Sequence, residues 1–95
     1  MTIIANAGAA KGSAFGALQF AKEGDFARAA EQLRESDAAL SQAQESHRQL
    51  LQMYAQGEVP HVDVLLSHAQ DHFMMSTLAK DLAGELVQVY RQIKQ

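Results

Sequence analysis

Between Thr2 and Lys22 small and apolar residues recur in steps of three and four: Ala7, Ala10, Ala14, Ala17 and Ala21 stand beside Ile3, Ile4, Phe15 and Leu18. That is the period of a helix, and its alanine stripe lets a neighbouring helix approach closely. A second run, from Phe26 to about Ala55, spaces Phe26, Ala30, Leu33, Leu40, Leu51 and Tyr54 by threes, fours and their sums. At about 1.5 Å per residue, this helix reaches roughly 45 Å. A third helix begins at Val62 or Asp63 and can continue to the C terminus. No apolar alternation competes, so no strand is predicted.

The breaks agree with this division. Gly24 supplies a C-cap conformation and Asp25 a side-chain acceptor for the free amides of the next helix. "EGDF" therefore reads as a tight turn between antiparallel helices. Gly57 and the only proline, Pro60, end the second helix. The expected fold class is all-α, an antiparallel three-helix bundle, with residues 1–95 as a single domain.

At about 100° per residue, the third helix has two apolar faces rather than one. The first contains Val62, Leu65, Leu66, Ala69, Phe73, Ala83 and Val87, interrupted by Lys80. The second contains Val64, Met75, Leu78, Leu82, Leu86, Val89 and Ile93, and the remaining arc is polar: Asp63, Gln70, Asp81, Glu85, Gln88 and Gln92. A three-helix chain can bury the first face against its own helices but leaves the second without a cover, so a second copy is expected there. The seam has a seven-residue repeat, with His68, Met75, Leu82 and Val89 at one position and Val64, Asp71, Leu78 and Glu85 at the other. Burial of a lone carboxylate is costly, so Asp71 must pair, protonate or bind a cation. If several copies surround a symmetry axis, their Asp71 carboxylates converge, and an oxygen-only ligand set suits magnesium better than zinc.

Composition removes whole classes of function. Eleven acidic against eight basic residues give a net charge of −3, with no electrostatic footprint for nucleic acid or an anionic membrane. The absence of cysteine excludes a disulfide framework, a thiolate metal site and a cysteine nucleophile, and fits a reducing cytoplasm. No apolar run approaches the ~20 residues of a membrane span, and "MTIIANAGAAKG" lacks a basic segment before a true apolar signal core. A chain of 95 residues has a thin core, which makes oligomerisation an ordinary route to stability.

The chemistry concentrates in "SHAQDHFMM", residues 67–75. His68 and His72 have the i, i+4 spacing of a two-histidine metal pair, yet no inner glutamate, cysteine or clear third ligand accompanies them. They could equally be histidines tucked at a helix interface. A third reading is nucleophilic: a neutral imidazole, with a reference pKa of about 6.5, can accept a phosphoryl group while a second imidazole stands by. Spacing leaves all three open. His47 occupies a seam position of the second helix and reads as packed or partly exposed, His61 as a solvated loop residue, and Met53, Met74 and Met75 as helical gap-fillers, Met74 facing the polar arc as a possible contact residue. The segment from Phe26 to Glu31 reads as a solvated helix face. No phosphate-cradling glycine loop, serine triad or dinucleotide fingerprint is present. Any phosphoryl donor is then another protein or a small phosphate compound.

Taken together, "NAGAAKGSAFGALQFAKEGDFARAAEQL" and "GEVPHVDVLLSHAQDHFMMSTLAKDLAGELVQVY" resemble the enzyme IIA component of the lactose and N,N'-diacetylchitobiose/cellobiose type in the bacterial phosphotransferase system. "HAQDH" followed by Met74 is the specific part, and the resemblance spans nearly the whole chain. It implies a cytoplasmic homotrimer of three-helix subunits in which His68 takes a phosphoryl group from the histidine phosphocarrier protein. His68 then passes it to a cysteine of a sugar-specific enzyme IIB, in the uptake of a β-linked disaccharide. It further implies that Asp71 lies near the trimer axis as ligand to a divalent ion, usually Mg2+, with Gln70 and His72 in supporting roles. Departures are the short lead before "NAG", Ser67 in place of a larger apolar residue, and Pro60 and His61 in a loop that is usually more charged. A non-enzymatic helical adaptor is the competing reading, because "ALQFAKEGDFARAAEQL" resembles the turn of a tetratricopeptide repeat. Against it, the second helix is too long and no second copy follows at the repeat period.

Overall fold

Alanine sets the distance between the helices. A computed structural model describes residues 2–57 and 64–94, with side chains placed at 3–57 and 67–94. It contains α1 (Thr2–Lys22), α2 (Phe26–Ala55) and α3 (Val64–Lys94). On α1 Ile4 and Leu18 are half-buried and Phe15 is exposed, whereas the alanine stripe is inside: Ile3, Ala7, Ala10, Ala14, Ala17 and Ala21 are all buried. Such short side chains bring α2 and α3 close against α1, which is in extensive contact with both, whereas α2 and α3 meet each other far less. The result is an elongated bundle of 55 × 18 × 16 Å.

The facing helices answer with small residues of their own. α2 buries Ala29, Ser36, Leu40 and Ala43, and α3 buries Ala69, Ser76, Ala83 and Val87. Ser36 stays inside because its hydroxyl donates to the Ala10 carbonyl at 2.7 Å, satisfying a polar group that would otherwise be costly to bury. Larger side chains gather at the turn end, where Leu18, Phe20, Phe26, Leu33 and Tyr90 pack around Ala17, Ala21, Ala29 and Val87. The Arg91 guanidinium lies over the Phe26 ring at 5.2 Å.

The turn itself is fully accounted for. Gly24 adopts φ 83°, Asp25 N–H donates to the Phe20 carbonyl at 2.9 Å, and Gly24 N–H to the Ala21 carbonyl at 3.0 Å. This is a Schellman cap, and it needs a residue that tolerates the left-handed region. The Asp25 carboxylate accepts from Arg28 N–H at 3.2 Å, capping α2.

Several expectations are corrected. α2 turns Ala29 inward with Ser36, so the run from Phe26 to Glu31 is not wholly solvated, and Phe26, Ala30 and Leu33 lie half-buried at the edge of the core. Leu51 is exposed because it sits about 22 Å farther along α2 than Ser36, past the described start of α1. Met53, Met74 and Met75 are exposed rather than filling gaps. Pro60, His61, Val62 and Asp63 lie outside the described residues, as do the side chains of Val64, Leu65 and Leu66.

Candidate functional site

Around α3, function and packing occupy different arcs. The buried arc is Ala69, Ser76, Ala83 and Val87, while Met75, Leu78, Leu82, Leu86, Val89 and Ile93 stay exposed in the single chain, as the second apolar face predicts. Together with Phe15 and Leu18 of α1, its Met75, Leu78, Leu82 and Leu86 line an apolar groove of about 390 Å³. His68 and Asp71 are exposed, and helical spacing places both on this open face, about three and two turns before Leu78 respectively.

His72 is half-buried and shares the arc of His68 one turn on. Their rings meet edge to face, with centroids 4.3 Å apart and planes at 78°. The contact limits the orientations open to His68 while leaving it accessible. Gln70 is placed differently. It lies about 200° round the helix from His68, and its Nε2 is 3.1 Å from Nε2 of His47 on α2. His47 also stacks on Phe73, with centroids 5.6 Å apart and planes at 28°. The sequence reading placed Gln70 in the polar arc; α2 partly covers that arc, so the amide is engaged rather than free.

The geometry brings His68 and His72 together, sets Asp71 beside them toward the open face, and sends Gln70 to the far side. Among the described residues no three His, Cys, Asp or Glu side chains come together to hold a metal. The arrangement offers one accessible imidazole nucleophile with a second ring at its edge, on the rim of an apolar surface.

A family model described as "PTS system, Lactose/Cellobiose specific IIA subunit" matches residues 1–91. The chain belongs to this enzyme IIA family. As an enzyme IIA, it is a phosphoryl-carrying component of the phosphotransferase system. The galactose-specific EIIA component of Lactococcus lactis subsp. cremoris is 43% identical over 94 residues, covering 99% of this chain and 81% of that protein. The N,N'-diacetylchitobiose-specific EIIA component of Escherichia coli is 38% identical over the same length and coverage. Among solved structures, the cellobiose-specific enzyme IIA of Bacillus anthracis has a TM-score of 0.92 at 39% identity, covering 98% of this chain and 85% of that one. The Escherichia coli IIA(Chitobiose)–HPr complex gives 0.87 at 36% identity, covering 98% of this chain and 90% of its counterpart. The tetratricopeptide-like reading is therefore set aside. No helix among the described residues is long and apolar enough to cross a membrane.

His47 is half-buried, as its seam position suggested, but its contacts with Gln70 and Phe73, on the turns of α3 beside His68, were not anticipated. Its signal was weak, since pairing with Gln70 depends on how two helices align.

Proposed function

We propose that His68 of this enzyme IIA accepts a phosphoryl group from the histidine phosphocarrier protein HPr and delivers it to a cysteine of a sugar-specific enzyme IIB, for uptake of a β-linked disaccharide. The observation that carries the assignment is the pairing of an exposed His68 with the edge of His72, 4.3 Å between centroids, beside an open apolar face. In the first step a lone pair of the neutral His68 imidazole, through Nε2, forms a new N–P bond in line with the breaking N–P bond of the donor, whose imidazole keeps the electron pair. In the second, the cysteine thiolate forms the S–P bond as the N–P bond breaks, and His68 recovers its lone pair. Phosphoryl transfer asks little covalent work of the protein, so positioning carries most of the catalysis. An apolar rim suits a protein partner and keeps water from the phosphohistidine. His72 supports the step by restricting the His68 ring, and Gln70 supports it from the opposite side of the helix.

The second apolar face is the basis for the homotrimer: three copies of α3 around one axis would cover Met75, Leu78, Leu82 and Val89. Asp71 is then the carboxylate each chain would bring to a shared Mg2+, and a set of three such oxygens would fit that hard cation. The ion would supply charge neutralisation at the axis. Its place is structural, apart from the transfer at His68. A cytoplasmic site of action fits both protein partners.

The test is incubation with phosphoenolpyruvate, enzyme I and HPr. An acid-labile phosphoryl adduct forms on the wild type and is lost in His68→Gln. An unlabelled wild type in the presence of active donors overturns the assignment.

A further inference from the structure

Among the described residues two polar bridges join α2 to α3: Lys80 Nζ to Asp37 Oδ1 at 3.0 Å, and the Gln70–His47 contact at 3.1 Å. From Asp37 to His47 and from Gln70 to Lys80 the chain runs ten residues each way, about 15 Å of helix. The bridges are thus two rungs of one antiparallel register. Between them the helices do not close; a groove of about 400 Å³ remains, lined by Leu40, Ser41, Gln44, Phe73, Met74 and Thr77. Among the described residues, the polar contact between α2 and α3 nearest His68 is therefore the Gln70–His47 rung.

That rung touches the His68 turn twice, by two kinds of contact. Nε2 of the Gln70 amide donates to His47 Nε2, which accepts when the neutral ring carries its proton on Nδ1. The face of the same ring covers Phe73. Gln70 and Phe73 flank Asp71 and His72, and Gln70 is two residues from His68. A rotation of this turn by a fraction of a residue would swing the His68 ring through an arc comparable to the tolerance of in-line transfer, where about 1 Å of misplacement can cost 10²-fold in rate.

We propose that His47 is a positioning residue for phosphoryl transfer, holding the His68 turn against α2 through Gln70 and Phe73 without touching the phosphoryl group. The inference rests on the carrier role of His68 given above. It is tested with His47→Ala, His47→Gln and His47→Phe in the full chain. In single-turnover transfer from phosphorylated HPr, His47→Ala slows the step at saturating donor by about tenfold or more, with the half-saturating donor concentration nearly unchanged. His47→Gln keeps a hydrogen-bonding partner for Gln70 and His47→Phe keeps the ring on Phe73, so each recovers part of the rate. A wild-type rate in His47→Ala, or a loss confined to the half-saturating concentration, overturns the proposal. Amide hydrogen exchange gives a readout independent of the carrier assignment: His47→Ala accelerates exchange across residues 67–73 and leaves 83–90 unchanged. Unchanged exchange at 67–73 overturns the proposal whichever residue carries the phosphoryl group, whereas faster exchange with no labelling of the wild type faults the carrier assignment alone.

Discussion

Leu82 measures what the open face of α3 is for. It keeps 54% of its surface exposed in the single chain, and full burial of a leucine side chain contributes about 1.5–3 kcal/mol. Covering the remaining half is therefore worth roughly 1 kcal/mol per chain, most of which Leu82→Ala forfeits. Around the proposed three-fold axis the loss would occur three times, about 3 kcal/mol per trimer, or roughly two orders of magnitude in the association constant. The isolated chain should lose less, because the part of Leu82 covered within it is the smaller share and alanine is the better helix former. Leu82→Glu goes further by placing three carboxylates in one apolar seam, and it should leave a helical monomer. Sedimentation velocity over a concentration series separates these cases, with Gln88→Ala on the polar arc as control. A Leu82→Glu chain that sediments as the wild type does, at every concentration, would refute an interface on this face.

In the proposed trimer, Asp71→Leu replaces converging charges with apolar packing, so assembly should be as stable or more stable, and the proposed axial divalent ion should not bind. Metal analysis after gel filtration decides it, since Mg2+ retained at wild-type stoichiometry contradicts the ligand assignment. Gly24→Ala forces a Cβ into φ 83°, at a cost of about 1 kcal/mol or somewhat more; thermal unfolding should show a Tm lower by about 4–8 °C, and an unchanged Tm would mean the turn relaxes freely. Hydrogen bonds from Lys80 to Asp81 and then Asp37 raise its pKa above the ordinary 10.5. A raised cation pKa stabilises fully below the ordinary value, and that contribution fades as pH climbs through the raised one. Urea unfolding should therefore show the wild type's advantage over Lys80→Met constant from neutrality to that value and shrinking above it; an advantage that grows with alkaline pH has the wrong sign.

The features legible in the sequence were those fixed by one helix or one turn at a time. The alanine stripe of α1, the Gly24–Asp25 turn and the open face from Met75 to Ile93 all follow from local periodicity and backbone chemistry. What escaped depends on the neighbour. Ser36 and Ser76 are buried although a hydropathy pattern passes over serine, because a small residue was needed where helices cross closely, and Ser36 finds a carbonyl there. Leu51 has the right angle for the core but the wrong height. Gln70 has the angle of a solvated residue, yet α2 covers it. At the site, the nearness of His68 and His72 was fixed by their spacing of four, whereas no spacing pairs His47 with Gln70.

The three arcs of α3 let one helix meet demands that otherwise conflict. A carrier histidine must be accessible to partner proteins, yet its turn must not wander, and a thin alanine core gives little rigidity at about 0.8 kcal/mol per buried methylene-sized group. Here the buried arc, Ala69 to Val87, fixes the helix against α1, and the arc of Gln70 and Phe73 fixes its rotation against α2. The exposed arc is thereby free to present His68 and Asp71. Substitutions should accordingly sort by angle: those at Ala69 or Ala83 lower thermal stability, those at Leu82 change mass, and those at His47 change transfer rate while leaving both intact. A His47 variant that loses rate only in proportion to its loss of stability would collapse the second arc into the first, and with it the division of labour argued here.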